Sequence, residues 1–353
     1  MTATGSTRSS VAAARRHPIR AERAEPRDAR SLAVEPTVRG ARSIGEPLEI
    51  DIPDGDATWL KARALLDSYY GIIFVGPPGT GKSYYARQVA AKLVDGDSAR
   101  VRFIQFHPSY QYEDFVQGYV PKRDADGYEL KDKHLVEMAE QAGTTHAVHV
   151  IVIDELSRGD PARIFGEALT YVEKTKRGLT FALASGKVMI VPKELRFITT
   201  MNPLDRGVDE VDAAFDRRFA KLPMEPDAEQ LRAFLEKNRM LAPLRERMVQ
   251  FFLWLQRKAE RNEYARIGHA YFLEARDETD LSRLWDHQLQ FVFEKAYRHS
   301  RPELDEIKRA WDRAVGGGGV GGDGADRVAD AAARPAEAAP VSREPEGDRG
   351  RPA

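Results

Sequence analysis

Cysteine is absent from the 353 residues, which excludes disulfides and thiolate metal sites and fits a reducing compartment. Long apolar runs are also missing. The arginines near the N-terminus are followed by no apolar stretch, so neither a bilayer span nor a secretory signal is expected. Charge of one sign is lacking too. With 54 Lys and Arg against 55 Asp and Glu the net charge is -1, and nothing pulls the whole chain toward nucleic acid or an anionic membrane. What is present is 42% hydrophobic residues, enough for a sizeable core. The composition is that of a globular protein of the cytoplasm, without membrane contact.

Both ends lack a packable pattern. Residues 1–46 carry 9 Arg against 5 Asp and Glu, a charge of +4, with no sustained apolar period, and read as a disordered arm. Gly316 to Gly322 reads GGGGVGG and opens an Ala-, Pro- and charge-rich stretch, so 315–353 reads as a flexible tail. The folded part is expected at 47–314. Within it, apolar runs at Ile72–Val75, Val101–Phe106, Val148–Ile153 and Arg196–Thr200 alternate with helical patterns, including one from Leu130 to Ala142. That alternation predicts an α/β fold, a parallel sheet covered by helices, over 47–225. Leu179 to Val191, with Ser185-Gly186 at its turn, predicts an inserted β-hairpin. From 226 to 314 the pattern is helical. Leu244, Met248, Phe251, Phe252 and Leu255 share one face, and so do Leu281, Leu284, Trp285, Leu289 and Val292, the interior of a small helical lid.

The chemistry is concentrated in four places. Gly76-Pro77-Pro78-Gly79-Thr80-Gly81-Lys82-Ser83 fits G-x-x-x-x-G-K-[ST] between the strand IIFV and a helical stretch. Glycines let backbone N–H groups wrap phosphate oxygens, and the following helix aims its N-terminal donors at the same charge. Lys82 is expected on the β- and γ-phosphates, and Ser83 on Mg²⁺. The run ending in Asp154-Glu155 then reads as a Walker B element, with Asp154 on the metal and Glu155 polarising the attacking water. Asn202, at the end of a later strand, is expected beside Glu155, because ligands in such sheets sit at the carboxyl ends of strands. Finally, the pair Arg217-Arg218 precedes a last strand at Ala220–Leu222. No other arginine completes the site for the transition-state charge, so the pair, Arg218 foremost, reads as a finger supplied to a neighbouring subunit.

Together these residues resemble the AAA+ superfamily. More narrowly they are similar to the McrB-type motors of modification-dependent restriction. The narrower likeness rests on FIQFHPSYQYEDF (residues 103–115), DELSRGDPARIFGE (154–167), MNPLDR (201–206) and IGHAYF (267–272). The resemblance implies a hexameric ring with nucleotide at subunit interfaces, and a partner subunit that carries a nuclease. It places Asp205 and Arg206 in a signature loop near the nucleotide, Arg158 near the interface, and His269 in the lid as a sensor. Ser157 stands where the family usually has Asn. A DNA-reading domain usually precedes such motors. Here only the short basic arm precedes it, so DNA contact is expected to be indirect or weak. The best-known family member hydrolyses GTP and most AAA+ proteins use ATP. The chain has no Asn-Lys-x-Asp guanine signature, and ATP is the favoured reading with GTP as the alternative. A remodelling chaperone of the MoxR type, which shares much of this motor, is the competing function.

Overall fold

The computed structural model describes residues 46–123, 126–205, 215 and 217–317. The N-terminal arm, most of the C-terminal tail and Arg206 therefore lie outside the described residues. The first strand, β1 (Gly71–Val75), follows helix α1 (Ala57–Tyr69) and leads through the glycine loop into α2 (Lys82–Leu93). Strands β2 (Val101–Gln105), β5 (His149–Asp154), β8 (Leu195–Met201) and β9 (Ala220–Pro223) complete a five-stranded sheet of order β2-β5-β8-β1-β9. Every pairing in it is parallel.

The period of two along the strands explains why the sheet is buried on both sides. Ile72, Phe74, Val150, Val152 and Ile198 enter one core layer, whose other wall is α1 and α2. Ile73, Ile151, Ile153 and Phe197 enter the opposite layer with Phe106, Phe115 and Phe165. Each such side chain contributes about 1.5–3 kcal/mol on leaving water. A strand buried on both faces cannot show polar alternation, which is why these segments read as unbroken apolar runs.

Two small hairpins stand outside the main sheet. One is β6 (Thr180–Ala182) with β7 (Val188–Ile190), at the expected place. The other pairs β3 (Gln117–Pro121) with β4 (Tyr128–Asp132), and it corrects the expected helix from Leu130. Leu130 lies in β4 opposite Tyr119, and helix α4 (His134–Thr145) starts only after Asp132. β4 is largely exposed, so no buried alternation announces it. The hairpins are joined, since Ser185 Oγ donates to Gln117 Oε1 at 2.5 Å and Lys187 pairs with Asp132. Behind β7, buried Arg177 donates to the carbonyls of Val172, Pro192 and Leu195, at 2.9, 3.1 and 3.0 Å. Burial, with Arg196 adding, pushes its guanidinium down to about 9. These contacts fix the start of β8, the strand that carries Thr200 and leads into Asn202.

After Pro223 the chain is helical. Helices α7 (Ala228–Lys237), α8 (Ala242–Ala259), α9 (Glu278–Leu284), α10 (Gln290–Ala296) and α11 (Arg301–Gly316) enclose a second core. It contains the whole first stripe, Leu244 to Leu255. The second stripe needs one correction. A π turn at Trp285–Leu289 inserts a residue's worth of rotation, so Phe293 is fully buried and Val292 only packs at the edge. Helix α11 also runs past the expected boundary at 314. Arg247 Nε donates to Ala314 O at 2.8 Å and holds that last turn against α8. Among the described residues no helix is long and apolar enough to cross a membrane.

Candidate nucleotide site

The glycine loop turns because Gly79 and Gly81 take φ of +79° and +82°, a region closed to most side chains. Gly81 then ends the loop as the residue before α2, whose first N–H groups face the loop. Lys82 Nζ donates to the carbonyls of Gly76 and Pro77, both at 2.8 Å, and Thr80 Oγ1 donates to Pro77 O at 3.0 Å. Burial lowers the Lys82 ammonium below the usual lysine range, against the opposing pull of Glu155, Asp154 and Asp205. The attraction of those three carboxylates favours the charged ammonium at this end of the site.

At the carboxyl end of β5, Ser83 Oγ donates to Asp154 Oδ1 at 2.8 Å, and Thr200 Oγ1 donates to the same oxygen. The Glu155 N–H donates to Thr200 Oγ1 at 3.1 Å. Thr200 thus ties β5 to β8 at the point where the acids leave the sheet. The sequence alone does not single it out, because a threonine in a strand is ordinary. Its position two residues before Asn202 was the available signal. Glu155 itself has φ 57°, unusual for a residue with a side chain, and caps a tight turn at Leu156–Arg158. That turn brings Arg158 Nε to 3.2 Å from Glu155 Oε2 and 3.9 Å from Asp205 Oδ2. Asn202 Nδ2 donates to Asp205 Oδ1 at 3.2 Å.

One cleft of about 310 Å³ is lined by Pro78, Gly79, Gly81, Lys82, Ser83, Tyr84, Glu155, Arg158, Thr200, Asn202 and Asp205. It gathers most of the expected site residues at the carboxyl edge of the sheet. A hollow of about 600 Å³ opens beside it, between Gly79 and the lid segment 270–288. Its charged groups largely satisfy one another, Asp280 pairing with Arg276 at 2.9 Å and Arg283 at 3.1 Å. None of the expected catalytic residues lines it.

Two expected groups are placed elsewhere. Arg217 is exposed and Arg218 half-buried, and neither lines the cleft. They are held by their neighbours, since Phe215 and Phe219 stack with ring centroids 4.7 Å apart inside the core. Burial and Arg217 lower the Arg218 guanidinium. His269 is buried at the root of α7, where its Nδ1 accepts the Asp227 N–H at 3.1 Å and its ring lies 5.7 Å from Phe234. It also lies outside the cleft lining. Its neighbours touch the loop instead. Gly268 N donates to Pro78 O at 2.9 Å and Ala270 N to Gly79 O at 2.8 Å, so these hydrogen bonds between the lid and the phosphate loop are main-chain to main-chain.

Burial holds His269 below the usual histidine value. A neutral ring is also what accepting the Asp227 N–H requires. Its contribution to stability is therefore full above the ordinary value of about 6.5 and is lost as pH falls toward and through the folded value. Half-buried His134 has the same sign. We expect the melting temperature to fall between pH 7 and pH 5.5, and less steeply in His269→Gln, which keeps an acceptor but does not titrate. Equal slopes in the two proteins would contradict this role.

A parallel sheet of this order, with a glycine loop after β1 and acids at the end of β5, defines a P-loop nucleoside triphosphatase fold of the AAA+ type. Residues 71–219 match the AAA domain of the dynein-related subfamily. The chain is 35% identical over 217 residues to the type IV methyl-directed restriction enzyme EcoKMcrB subunit of Escherichia coli (strain K12). That alignment covers 57% of this chain and 47% of that protein. It is 21% identical over 188 residues to the type II restriction enzyme BsuMI component YdiS of Bacillus subtilis (strain 168), covering 42% of this chain and 55% of that protein. The chain thus spans about half the length of the curated relatives it matches.

Proposed function

We propose that this chain is the nucleotide-hydrolysing, ring-forming subunit of a multi-chain restriction complex, with ATP the favoured substrate and GTP the alternative. The observation that carries the reading is one cleft lined by Lys82, Ser83, Glu155 and Asn202, with Asp154 bonded to Ser83 at its edge, while Arg217 and Arg218 do not line it. Lys82 and the loop N–H groups would bind the β- and γ-phosphates, and Glu155 would orient the attacking water. Asn202 would bond a γ-phosphate oxygen. The Ser83 hydroxyl and Asp154 carboxylate, already 2.8 Å apart, offer the hard oxygens Mg²⁺ prefers, and Mg²⁺ needs few protein ligands when phosphates supply others. Such a metal would neutralise charge developing between the β- and γ-phosphates.

Among the described residues the cations lining the cleft are Lys82 and Arg158, and Arg158 is paired with Glu155, so a further positive charge for the transition state would come from outside the cleft. A head-to-tail contact repeated by rotation closes a ring, in which Arg218 of one subunit completes the site of the next. A nuclease supplied by a second chain is supported by the names of the two relatives, a subunit and a component of restriction enzymes. We expect turnover per subunit to rise with concentration as nucleotide-bound subunits assemble. Arg218→Ala should bind nucleotide near normally and lose most of that rise. A protein that sediments as a monomer with nucleotide, at a concentration-independent rate, would refute the ring.

A further inference from the structure

We propose that Arg158 is a resting clamp on Glu155, which keeps hydrolysis slow in a subunit that has not assembled. The inference rests on the reading of Glu155 as the group that orients water. Arg158 Nε donates to Glu155 Oε2 at 3.2 Å and lies 3.9 Å from Asp205 Oδ2. Asp205 accepts from the Asn202 side-chain amide through its other oxygen, at 3.2 Å, and Asn202 Oδ1 accepts the Leu204 N–H at 3.2 Å. The carboxylate assigned to water and the amide assigned to the γ-phosphate are thus both engaged, in one run of contacts inside the cleft. A carboxylate oxygen bonded to a guanidinium has one acceptor position fewer for water.

The backbone explains why the clamp forms. Glu155 at φ 57° starts a tight turn, the Arg158 N–H donates to Glu155 O at 2.9 Å, and the two side chains fall on the same side. The pair is also open to solvent, with the Arg158 side chain 57% and the Glu155 side chain 35% exposed. An ion pair this exposed is weak, and so suited to being released. Asp205 and Arg158 both line the cleft, so a neighbour or nucleotide that engages either one would release Glu155.

The test is steady-state turnover at protein concentrations below the onset of the assembly-dependent rise. Arg158→Ala should raise kcat about two- to fivefold, the range an exposed pair can hold back, with KM changed less than twofold. Arg158→Lys keeps the charge but not the fork, and should lie between the two. If Arg158→Ala is poorly folded, the lysine variant alone still decides, since it too must exceed the parent rate. The gain must vanish in Arg158→Ala/Glu155→Gln. A kcat that is unchanged or lower in both single variants overturns the clamp. Full turnover in Glu155→Gln alone would instead overturn the reading of Glu155, so the two failures are distinct.

Discussion

Glu155→Gln is expected to bind nucleotide as tightly as the parent protein and to turn it over at least about a hundredfold more slowly. The substitution is nearly isosteric. The Glu155 N–H would still donate to Thr200 Oγ1, so β5 and β8 stay tied and the cleft keeps its shape. What is lost is an oxygen that can accept a proton from water while the γ-phosphoryl departs. Binding lies with other groups, the loop N–H donors and Lys82, whose ammonium is fixed by two carbonyls at the mouth of the loop. Lys82→Ala should accordingly fail earlier, at binding. Fluorescent-nucleotide titration beside a phosphate-release assay separates the two. A Glu155→Gln protein with full turnover would remove that residue from the chemistry.

Gly268→Ala should have the second-largest effect, although position 268 carries no chemistry. A Cβ there would lie 2.0 Å from both the carbon and the oxygen of the Gly79 carbonyl group and 2.4 Å from Thr80 N. These are backbone atoms, so no rotamer relieves the contact. The lid segment must lift, breaking the bonds from Gly268 N to Pro78 O and from Ala270 N to Gly79 O. Two backbone hydrogen bonds at about 1 kcal/mol each, with about 1–3 kcal/mol for overpacking, put the cost near 3–5 kcal/mol. We expect melting roughly 5–15 °C lower and turnover reduced at least about tenfold. Melting within about 2 °C of the parent would mean that the lid does not lean on the loop.

What could be read from the residues depended on how local each constraint is. The phosphate loop was legible because its physics demands glycines and a lysine at fixed spacing. The central strands were legible because burial on both faces removes polar residues from them. The β3–β4 hairpin was not, since Tyr119 and Tyr128 remain exposed and its pairing joins residues across a turn. The lid's second stripe matches the sequence pattern through Leu289, and the π turn at Trp285–Leu289 then moves the buried position from Val292 to Phe293. The hydrogen bonds between the lid and the phosphate loop join main-chain N–H and C=O groups, which have no side-chain signature. The pair of glycines, Gly79 and Gly268, permits the approach. His269 drew attention by residue type, while its neighbours make the contact. Thr200 and the Arg158–Glu155 pair become visible only when strand order and the turn after β5 are known.

The central claim is that one subunit's Arg218 completes the site built around another subunit's Glu155. The most direct measurement is turnover of a mixture of Arg218→Ala and Glu155→Gln proteins, each tested alone at the same total concentration. Each alone should be nearly inactive, because every interface lacks one of the two groups. In the mixture, interfaces that pair an intact Glu155 with an intact Arg218 should restore a measurable fraction of the parent rate. A mixture no more active than its components, with both proteins shown to co-assemble, would contradict a site shared between subunits.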